Sequence, residues 1–554
     1  MQTPVTIGDL LDRQAAHFGD RDAFVHVEHG VRYTYAEFRA ECNAVAKGMI
    51  ASGIRKGDHV GIWATNYPEW VVAQFATAKI GAVLVTVNPA YRLHELEYLL
   101  RQSDTSTLVL IGRFRTSDYA GMVNELIPEL RSSTPGRLSS AKFPKLRQVI
   151  YIGEETLPGM VAWNDLRRLG ETVSDDELRA RQAACHSDDV INIQYTSGTT
   201  GFPKGAQLTH LNVVGDARCI AECMKLTEHD RLCIPVPFYH CFGCVLGTLC
   251  CLTQGAAMVI PAEYFDPLKT LAAVEKERCT ALHGVPTMFI AELQHPEFAR
   301  FTLSSLRTGI MAGAPCPIEI MKQVVEKMGA REITIAYGQT EASPVITQTR
   351  TDDPIELRVS TVGRAIPDVE VKIVDPATGA EVPSGTQGEL CTRGFIVMKG
   401  YYNMPEATAA AIDSDGWLHT GDLATMDEAG YFRITGRLKD MVIRGGENIY
   451  PREVEEFLYT HPKISDAQVF GVPDPKFGEE LVAWIRLKEG QTATAEEIRD
   501  FCRNRISHYK IPRYIKFVSE FPMTVTGKIQ KYKMREAATA ELGLKTSTVD
   551  VQSG

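Results

Sequence analysis

Apolar positions in the first part of the chain alternate between short runs and longer stretches with helical spacing. The short runs lie at residues 60–63, 83–87 and 108–111, and the helical stretches lie between them at 70–79 and 93–100. A short apolar run bounded by turns is typical of a buried strand, and a longer periodic stretch is typical of a helix. Their alternation predicts an α/β fold with parallel sheets.

The pattern changes twice further along the chain. Between residues 366 and 436, short strand-like runs and tight turns, one of them at 427–430, predict an antiparallel β section. After Gly436 the mixture of helical and strand patterns predicts a separate α+β domain. Its expected elements are helices near 454–459 and 495–505 and strands near 468–472 and 482–487.

The composition narrows the class of protein. Of the 554 residues, 44% are hydrophobic and 23% are charged, which is typical of a globular enzyme with a large core. The formal net charge of -10 argues against a nucleic-acid partner, because such surfaces are basic. The most apolar stretch, 242–253, is shorter than the roughly 20 residues that a bilayer requires, so we expect a buried helix and no membrane span.

The N-terminal segment and the cysteines bear on location. The first 20 residues hold three aspartates and one arginine and lack a secretory or Arg-rich targeting pattern, which predicts a cytoplasmic protein. Thirteen cysteines, an odd number in apolar surroundings, favour reduced core thiols. Cys241 and Cys244 have the spacing of zinc ligands, but no second well-spaced pair accompanies them, so core packing is favoured over zinc.

The most informative segment is YTSGTTGFPKG at residues 195–205. It combines three glycines, four Ser/Thr hydroxyls and Lys204, a composition suited to wrapping backbone amides around phosphate oxygens. An apolar alternation at 191–195 predicts a strand that leads into this loop, and Thr209 is placed to cap a following helix. Because Gly205 follows the lysine, the segment is not the usual P-loop. A flexible surface linker is the alternative reading.

A second candidate segment is AYGQTE at residues 336–341. It follows a strand-like run at 333–336 and therefore falls at the carboxyl end of a strand, where open α/β sheets bind ligands. Thr340 offers a hydroxyl to a phosphate, and Glu341 offers carboxylate oxygens to Mg²⁺. The alternative is that Glu341 is an acid in the first turn of a helix.

Three later segments offer further polar groups. Asp422 in WLHTGD is an acceptor for the hydroxyls of a ribose or, alternatively, part of an Asx turn. Arg437 in GRLKD is a donor to ribose or phosphate or a solvated charge in a hinge. Lys528 in TGKIQK follows a glycine and projects from a turn, although most lysines are only solvated.

The order and spacing of these segments, together with VNPAY at 87–91, PFYHC at 237–241 and KDMVIRGGENIYP at 439–451, resemble the AMP-forming acyl-CoA synthetases. These belong to the adenylating (ANL) superfamily with luciferases and peptide-synthetase adenylation domains. The resemblance covers residues 6–542 and is strongest to medium-chain fatty acyl-CoA synthetases. It implies ATP, Mg²⁺ and CoA, and a fatty acid substrate.

The resemblance also implies roles for single residues. Thr340 and Glu341 would serve the α-phosphate and Mg²⁺, and Lys528 would contact the carboxylate of the acid and the α-phosphate. The β- and γ-phosphates would be held by Thr196, Ser197, Gly198, Thr199, Thr200, Gly201 and Lys204. The adenine would be lined by Gly313, Ala314, Pro315, Ala336, Tyr337 and Gly338.

The remaining implied roles concern the ribose, the hinge and CoA. Asp422 and Arg437 would take the ribose, Lys439 would be the pivot between domains, and Gly445 and Gly446 would open a path for pantetheine. The implied division is an N-terminal domain over 1–436, a hinge at 437–440 and a mobile α+β C-terminal domain over 441–554. The N-terminal domain would contain α/β sheet subdomains and the small β section.

The acid pocket of the family corresponds to Tyr239, His240, Met311 and Gly313. No acidic residue in these stretches is placed to anchor an amino group, which favours an unsubstituted apolar acid of medium chain length. His240 either gates the acid or packs as an aromatic. Alternatives are a ligase for aryl or sulfur-containing short acids and a catalytically silent adenylate-binding regulator. The sequence leaves open whether the chain forms a homodimer.

Overall fold

The computed structural model describes residues 5–196, 203–314, 316–445, 447–503, 505–524 and 529–544, without the side chain of Asn448. The chain divides into two compact units. The first comprises Met1–Val371 and Thr392–Leu418, and the second comprises Lys372–Cys391 and His419–Gly554.

The first unit contains two large mixed sheets. In one of them six consecutive strands run parallel, and two antiparallel pairings lie toward one edge. Its order is Gly400–Tyr401, Lys204–Thr209, Val190–Thr196, Val83–Thr86, His59–Trp63, Thr107–Ile111, Gln148–Ile152 and Val161–Ala162.

The second large sheet is also parallel at its centre and antiparallel at both edges. Its order is Arg364–Ala365, Val345–Gln348, Thr334–Gly338, Thr308–Ala312, Ala281–Gly284, Arg231–Cys233, Ala257–Ile260, Asp22–His26 and Val31–Thr34. Apolar side chains of its strands pack with those of neighbouring helices into a buried cluster that includes Met311, Met321 and Ile335.

Helices occupy most of the connections between these strands. Their ends follow local sequence signals: Thr209 precedes the helix His210–Cys223, and its Oγ accepts the N–H of Asn212 while the Asn212 Oδ1 accepts the N–H of Thr209. The other α-helices of eight or more residues in this unit are Ile7–Phe18, Tyr35–Ala51, Pro68–Ile80, Leu93–Gln102, Tyr119–Leu126, Trp163–Gly170, Asp175–Ala183, Pro267–Glu277, Pro286–Leu293 and Ile318–Lys327.

The second unit has its own sheet and core. Helices pack on a sheet ordered Glu447–Ile449, Val442–Arg444, Gly478–Leu487 and Ile464–Asp474, with Tyr514–Phe517 pairing to Gly478–Leu487. Its helices are Pro451–Tyr459, Ala495–Cys502 and Lys531–Glu541.

The predicted β section contains the strands Val369–Val374, Gly388–Gly394, Leu418–Met426 and Phe432–Arg437, and the last two pair antiparallel.

The predicted elements are confirmed with two differences. The helix expected over 495–505 ends at Cys502. The apolar stretch expected to be one buried helix is buried, but it contains a π-helical turn at Cys244–Leu249 between short α-helices at Cys241–Gly243 and Cys250–Gln254. Among the described residues, no helix is long and apolar enough to span a bilayer. No disulfide links the cysteines, and all except Cys316 are buried.

Candidate active site

The glycine-rich segment joins two paired strands. Val190–Thr196 and Lys204–Thr209 run antiparallel, and Thr196 stands opposite Lys204 at the end where the connection leaves the sheet. The Thr196 hydroxyl donates to the carbonyl of Lys204 over 3.5 Å. The connection itself lies outside the described residues, and with it the predicted phosphate ligands Ser197, Gly198, Thr199, Thr200 and Gly201.

Glu341 lies close to the lysine of that segment. It follows the strand Thr334–Gly338 within a single 3-10 turn, Thr340–Ala342, so it is not in the first turn of an α-helix. The hydroxyl of Tyr401 donates to Glu341 Oε1 over 2.8 Å, and the ammonium of Lys204 lies 5.0 Å from the centroid of the Tyr401 ring. Tyr401 therefore joins two residues that the sequence placed in separate motifs.

The predicted adenine residues come from the carboxyl ends of two neighbouring parallel strands. Ala312 stands beside Ala336 in the sheet, so Gly313 and Ala314 leave the sheet next to Tyr337 and Gly338. Gly313 has a φ of +83°, which favours glycine at this turn. Pro315 lies outside the described residues.

The predicted acid pocket combines the buried Met311 with the half-buried Tyr239 and His240 and the exposed Gly313. Burial raises the pKa of Tyr239 well above its usual range. His240 precedes the helix Cys241–Gly243, and its Nδ1 accepts the N–H of Phe242 over 3.1 Å, which gives the ring a capping role. Met311 is fully buried in the strand Thr308–Ala312. Thr340 lies beside this segment, with its hydroxyl 3.7 Å from the sulfur of Cys241.

A buried acid supports the turn that contains Glu341. Asp216 lies on the helix His210–Cys223 with no exposed surface, and its Oδ2 accepts the N–H of Val345 over 3.1 Å. Burial raises the pKa of Asp216 well above its usual range, which favours the protonated form in the folded protein. The sequence analysis missed this residue, although an acid within an apolar helical stretch was a visible signal.

In the second unit, Asp422 and Arg437 form an ion pair. They stand opposite each other in the hairpin of Leu418–Met426 and Phe432–Arg437, with Arg437 Nε 2.7 Å from Asp422 Oδ1. The side chain of Asp422 is 4% exposed and that of Arg437 is 35% exposed. Asp422 lies in a strand, so the structure does not place it in an isolated Asx turn.

Glu389 holds the turn before Asp422. Its Oε1 accepts the N–H of Gly421 over 2.9 Å, and its Oε2 lies 2.8 Å from His419 Nδ1. Among the described residues, Glu389, Cys391 and His419 form the one group of three ligand-type side chains close enough to hold a metal ion. The Glu389 carboxylate is already engaged by hydrogen bonds, so we interpret the group as structural support for the turn.

The remaining predicted residues are only partly described. Lys439 lies in the 3-10 turn Leu438–Asp440. Gly445, with a φ of +61°, follows the strand Val442–Arg444, and its N–H donates to the carbonyl of Phe477 over 2.8 Å. Gly446 and Lys528 lie outside the described residues.

Family models match most of the chain. A model described as AMP-binding enzyme matches residues 11–402, and one described as AMP-binding enzyme C-terminal domain matches residues 453–528. The first match alone covers more than half of the sequence. The chain belongs to the AMP-binding enzyme family.

Relatives in the AMP-binding enzyme family align over nearly the whole chain. The protein YngI of Bacillus subtilis (strain 168), whose name describes an acyl-CoA synthetase, is 60% identical over 542 residues, 98% of both chains. The mitochondrial medium-chain acyl-CoA ligase ACSF2 of Danio rerio is 46% identical over 541 residues, 97% of this chain and 89% of the relative.

A solved structure extends the likeness to the fold. The anthranilate CoA ligase AuaEII, in complex with anthranoyl-AMP, matches with a TM-score of 0.83 at 27% identity and covers 98% of this chain and 99% of its own. The predicted resemblance to AMP-forming acyl-CoA synthetases and the predicted α/β architecture are confirmed. The roles of individual site residues stay predictions.

Proposed function

We propose that this member of the AMP-binding enzyme family is an ATP-dependent fatty acid–CoA ligase that forms AMP and prefers medium-chain acids. The observation that supports it most strongly is the 46% identity, over 97% of the chain, to a medium-chain acyl-CoA ligase. The pairing of Glu341 with Tyr401 beside Lys204 agrees with a site for a polyphosphate and its cation.

The first half-reaction activates the acid. A carboxylate oxygen of the fatty acid attacks the α-phosphorus of ATP, the bond from that phosphorus to the bridging oxygen breaks, and pyrophosphate leaves with that electron pair. The product is an acyl-adenylate. Both reactants are negatively charged, so positive groups between them lower the barrier, and preorganised groups of this kind each contribute about 10²- to 10³-fold in rate.

The residues present fit a magnesium ion. Glu341 presents carboxylate oxygens and Thr340 a hydroxyl, and hard cations prefer oxygen ligands. When bound, Mg²⁺ would neutralise charge on the phosphates. Lys204 would hold the β- and γ-phosphates with the amides of the glycine-rich segment, and Asp422 and Arg437 would hold the ribose.

The second half-reaction transfers the acyl group to CoA. The thiol loses its proton and attacks the acyl carbon, and AMP leaves with the oxygen that came from the carboxylate. Lys528 would contact the reacting carboxylate in the first step and would block the thiol in the second. A turn of the C-terminal domain over 441–554 about Lys439 would remove it, and Gly445 and Gly446 would then admit pantetheine.

The acid is proposed to be apolar. Met311 is buried and Tyr239 is half-buried, and neither the PFYHC segment nor the strand Thr308–Ala312 contains an acidic residue that would bind an amino group. Each methylene that enters such a pocket adds about 0.8 kcal/mol of binding until the pocket is filled. Affinity should therefore rise with chain length and then stop rising.

An aryl acid is the second candidate, because the solved neighbour AuaEII is an anthranilate CoA ligase. Its identity to this chain is 27%, well below the 46% of the medium-chain ligase, so the fatty acid has the stronger support. A panel of acids tests the choice: kcat/KM for CoA-dependent AMP release should peak at a medium-chain fatty acid. A peak at benzoate or anthranilate would replace the first candidate with the second.

One alternative and two further predictions stand beside this proposal. A catalytically silent regulator would bind ATP and make no acyl-CoA with any acid of the panel. A cytoplasmic location is also proposed and is tested by fractionation of the source cells. A homodimer is tested by light scattering of the purified chain.

A further inference from the structure

Residues 395–402 of the first unit, which we call the strap, contact the strand that begins with Lys204. The N–H of Lys399 donates to the carbonyl of Gln207 over 2.9 Å, and the N–H of Tyr402 donates to the carbonyl of Gly205 over 2.8 Å. The short strand Gly400–Tyr401 thereby forms the edge of the sheet next to the glycine-rich segment.

The strap also contacts the segment that contains Glu341. The N–H of Met398 donates to the carbonyl of Glu341 over 2.9 Å, and the hydroxyl of Ser343 donates to the carbonyl of Ile396 over 2.6 Å. Backbone hydrogen bonds of one strap therefore fix two segments that are distant in sequence.

The side chain of Tyr401 bridges the same two segments. Its hydroxyl donates to Glu341 Oε1 over 2.8 Å, and its ring faces the Lys204 ammonium at 5.0 Å. The phenol is the donor in this bond, because an ionised carboxylate can only accept.

We propose that Tyr401 is a positioning residue that orients the Glu341 carboxylate for the magnesium ion accompanying ATP and holds the Lys204 ammonium beside the phosphates. The hydroxyl engages one carboxylate oxygen and so fixes the direction of the other. A carboxylate that is already oriented loses less conformational freedom when a cation binds, and binding is tighter. The proposal rests on the proposed function only through the binding of ATP with Mg²⁺.

The experiment measures metal binding without turnover. Thermal unfolding of the full chain is followed at a fixed ATP concentration while Mg²⁺ is raised, and each variant is compared with its own melting temperature in ATP with EDTA. A ligand that binds the folded state raises the melting temperature in a saturable way. Tyr401→Phe removes one hydrogen bond to a charged group and should raise the half-saturating Mg²⁺ concentration by about 10- to 100-fold.

Tyr402→Phe is the matched control. The Tyr402 hydroxyl donates to Asp104 Oδ2 over 2.9 Å, so this variant removes a tyrosine hydroxyl bound to a carboxylate one residue away in the same strap. Its half-saturating Mg²⁺ concentration should stay within about twofold of wild type, as for changes away from a site. An equal shift in both variants would mean that the strap as a whole had been disturbed, and would overturn the assignment to Tyr401.

A double-mutant cycle tests whether Tyr401 acts through Glu341. Glu341→Gln keeps an acceptor for the tyrosine hydroxyl and removes the charge. In that background Tyr401→Phe should add almost no further shift in Mg²⁺ dependence, because coupled residues are not additive. Full additivity would overturn the proposal.

A second substitution tests the contact with Lys204. Tyr401→Leu removes the ring as well as the hydroxyl, so it should weaken binding of ATP in EDTA, which Tyr401→Phe should leave within about twofold because it keeps the cation–π contact. Equal ATP binding by the leucine and phenylalanine variants would remove the Lys204 part of the proposal.

The outcomes separate this proposal from the proposed function. If the wild type converts acids to acyl-CoA and the Tyr401→Phe titration overlaps that of wild type, the positioning role is wrong and the function stands. If Mg²⁺ with ATP stabilises the wild type, Tyr401→Phe shifts the titration, and no acid is converted, the function is wrong and the positioning role stands. Absence of any Mg²⁺-dependent stabilisation of the wild type by ATP would overturn the positioning role.

Discussion

Two charged side chains of the first unit, Glu341 and Lys204, both contact Tyr401. The Glu341 carboxylate accepts a hydrogen bond from the tyrosine hydroxyl, and the Lys204 ammonium lies over the tyrosine ring. Asp216 differs because its carboxylate has no exposed surface, and burial raises its pKa well above the usual range. Its bond to the N–H of Val345 ties the turn after Glu341 to a helix.

The raised pKa of Asp216 makes the stability of the folded chain depend on pH. The unfolded chain ionises this acid at its usual pKa of about 3.8, whereas the folded chain holds the proton to a higher pH. The favourable contribution is therefore fully present below the unfolded pKa and is lost as pH rises through the folded pKa, at up to about 1.4 kcal/mol per pH unit. Asp216→Asn should thus gain stability relative to wild type as pH rises.

Melting temperatures at about pH 5 and about pH 8 measure this difference. Asp352→Asn is the control, because the Asp352 side chain is 73% exposed in the folded protein. The gap between Asp216→Asn and wild type should widen toward high pH, and the gap for Asp352→Asn should stay constant. A constant gap for both variants would show that Asp216 is ionised in the folded chain.

Among the secondary-structure elements, the hairpin of Thr334–Gly338 and Val345–Gln348 is the one most closely tied to the site. It contains three of the predicted adenine residues, Ala336, Tyr337 and Gly338, next to the Thr340–Ala342 turn at its tip. Gly338 approaches the opposite strand so closely that a Cβ there would lie 1.9 Å from the carbonyl oxygen of Pro344. The glycine is therefore required by packing of the hairpin itself.

Gly338→Ala should destabilise the first unit even without ligand. The backbone must move to accommodate the methyl group, and forced shifts of this kind cost about 1 to 3 kcal/mol or more. Thermal unfolding of the ligand-free chain measures the effect. Gly436→Ala is the control, because a Cβ at that position meets its nearest neighbours at ordinary distances of 3.8 Å and above. Equal melting temperatures for both variants would contradict the steric argument.

Elements with strong local signals were predictable from the sequence. The strands at His59–Trp63, Val83–Thr86 and Thr107–Ile111 follow from short apolar runs, and the Thr209 cap follows from one hydroxyl residue before a helical stretch. The π turn at Cys244–Leu249 was not predictable, because an all-apolar stretch has no periodicity that distinguishes helix types.

Candidate site residues could be proposed from the sequence where a motif is contiguous and not where the site depends on pairing between distant segments. Glu341 and Lys204 were identified from their own segments. Tyr401 was not, because its partner Glu341 is 60 residues away and only the register of the strap brings them together. The contact between Asp422 and Arg437 likewise depends on the register of the hairpin, which could not be predicted from the sequence of its turn.

The whole chain combines a first unit with two large sheets and a second unit with its own core. The family resemblance assigns the phosphates and adenine to residues of the first unit and the lysine of the acid-activating step, Lys528, to the second. A division of labour between two units predicts that the two half-reactions separate on mutation.

Lys528→Ala should lower the rate of acyl-adenylate and pyrophosphate formation by about 10²- to 10³-fold or more, because one preorganised positive group is lost from the transition state. The same variant should convert supplied acyl-adenylate and CoA to acyl-CoA at close to the wild-type rate. Lys531→Ala is a nearby control that changes a lysine paired with Glu455. Equal loss of both half-reactions in Lys528→Ala would contradict the division of labour.

Transfer of a carboxylate oxygen to AMP distinguishes adenylation of the acid from every other use of ATP. Octanoate, as a medium-chain probe, is labelled with ¹⁸O in both carboxylate oxygens. It is incubated with the full chain, ATP, Mg²⁺ and CoA, and the masses of the products are measured by mass spectrometry. The account predicts octanoyl-CoA and AMP with one heavy oxygen in its phosphate. Unlabelled AMP, or ADP with the heavy oxygen in inorganic phosphate, would contradict it.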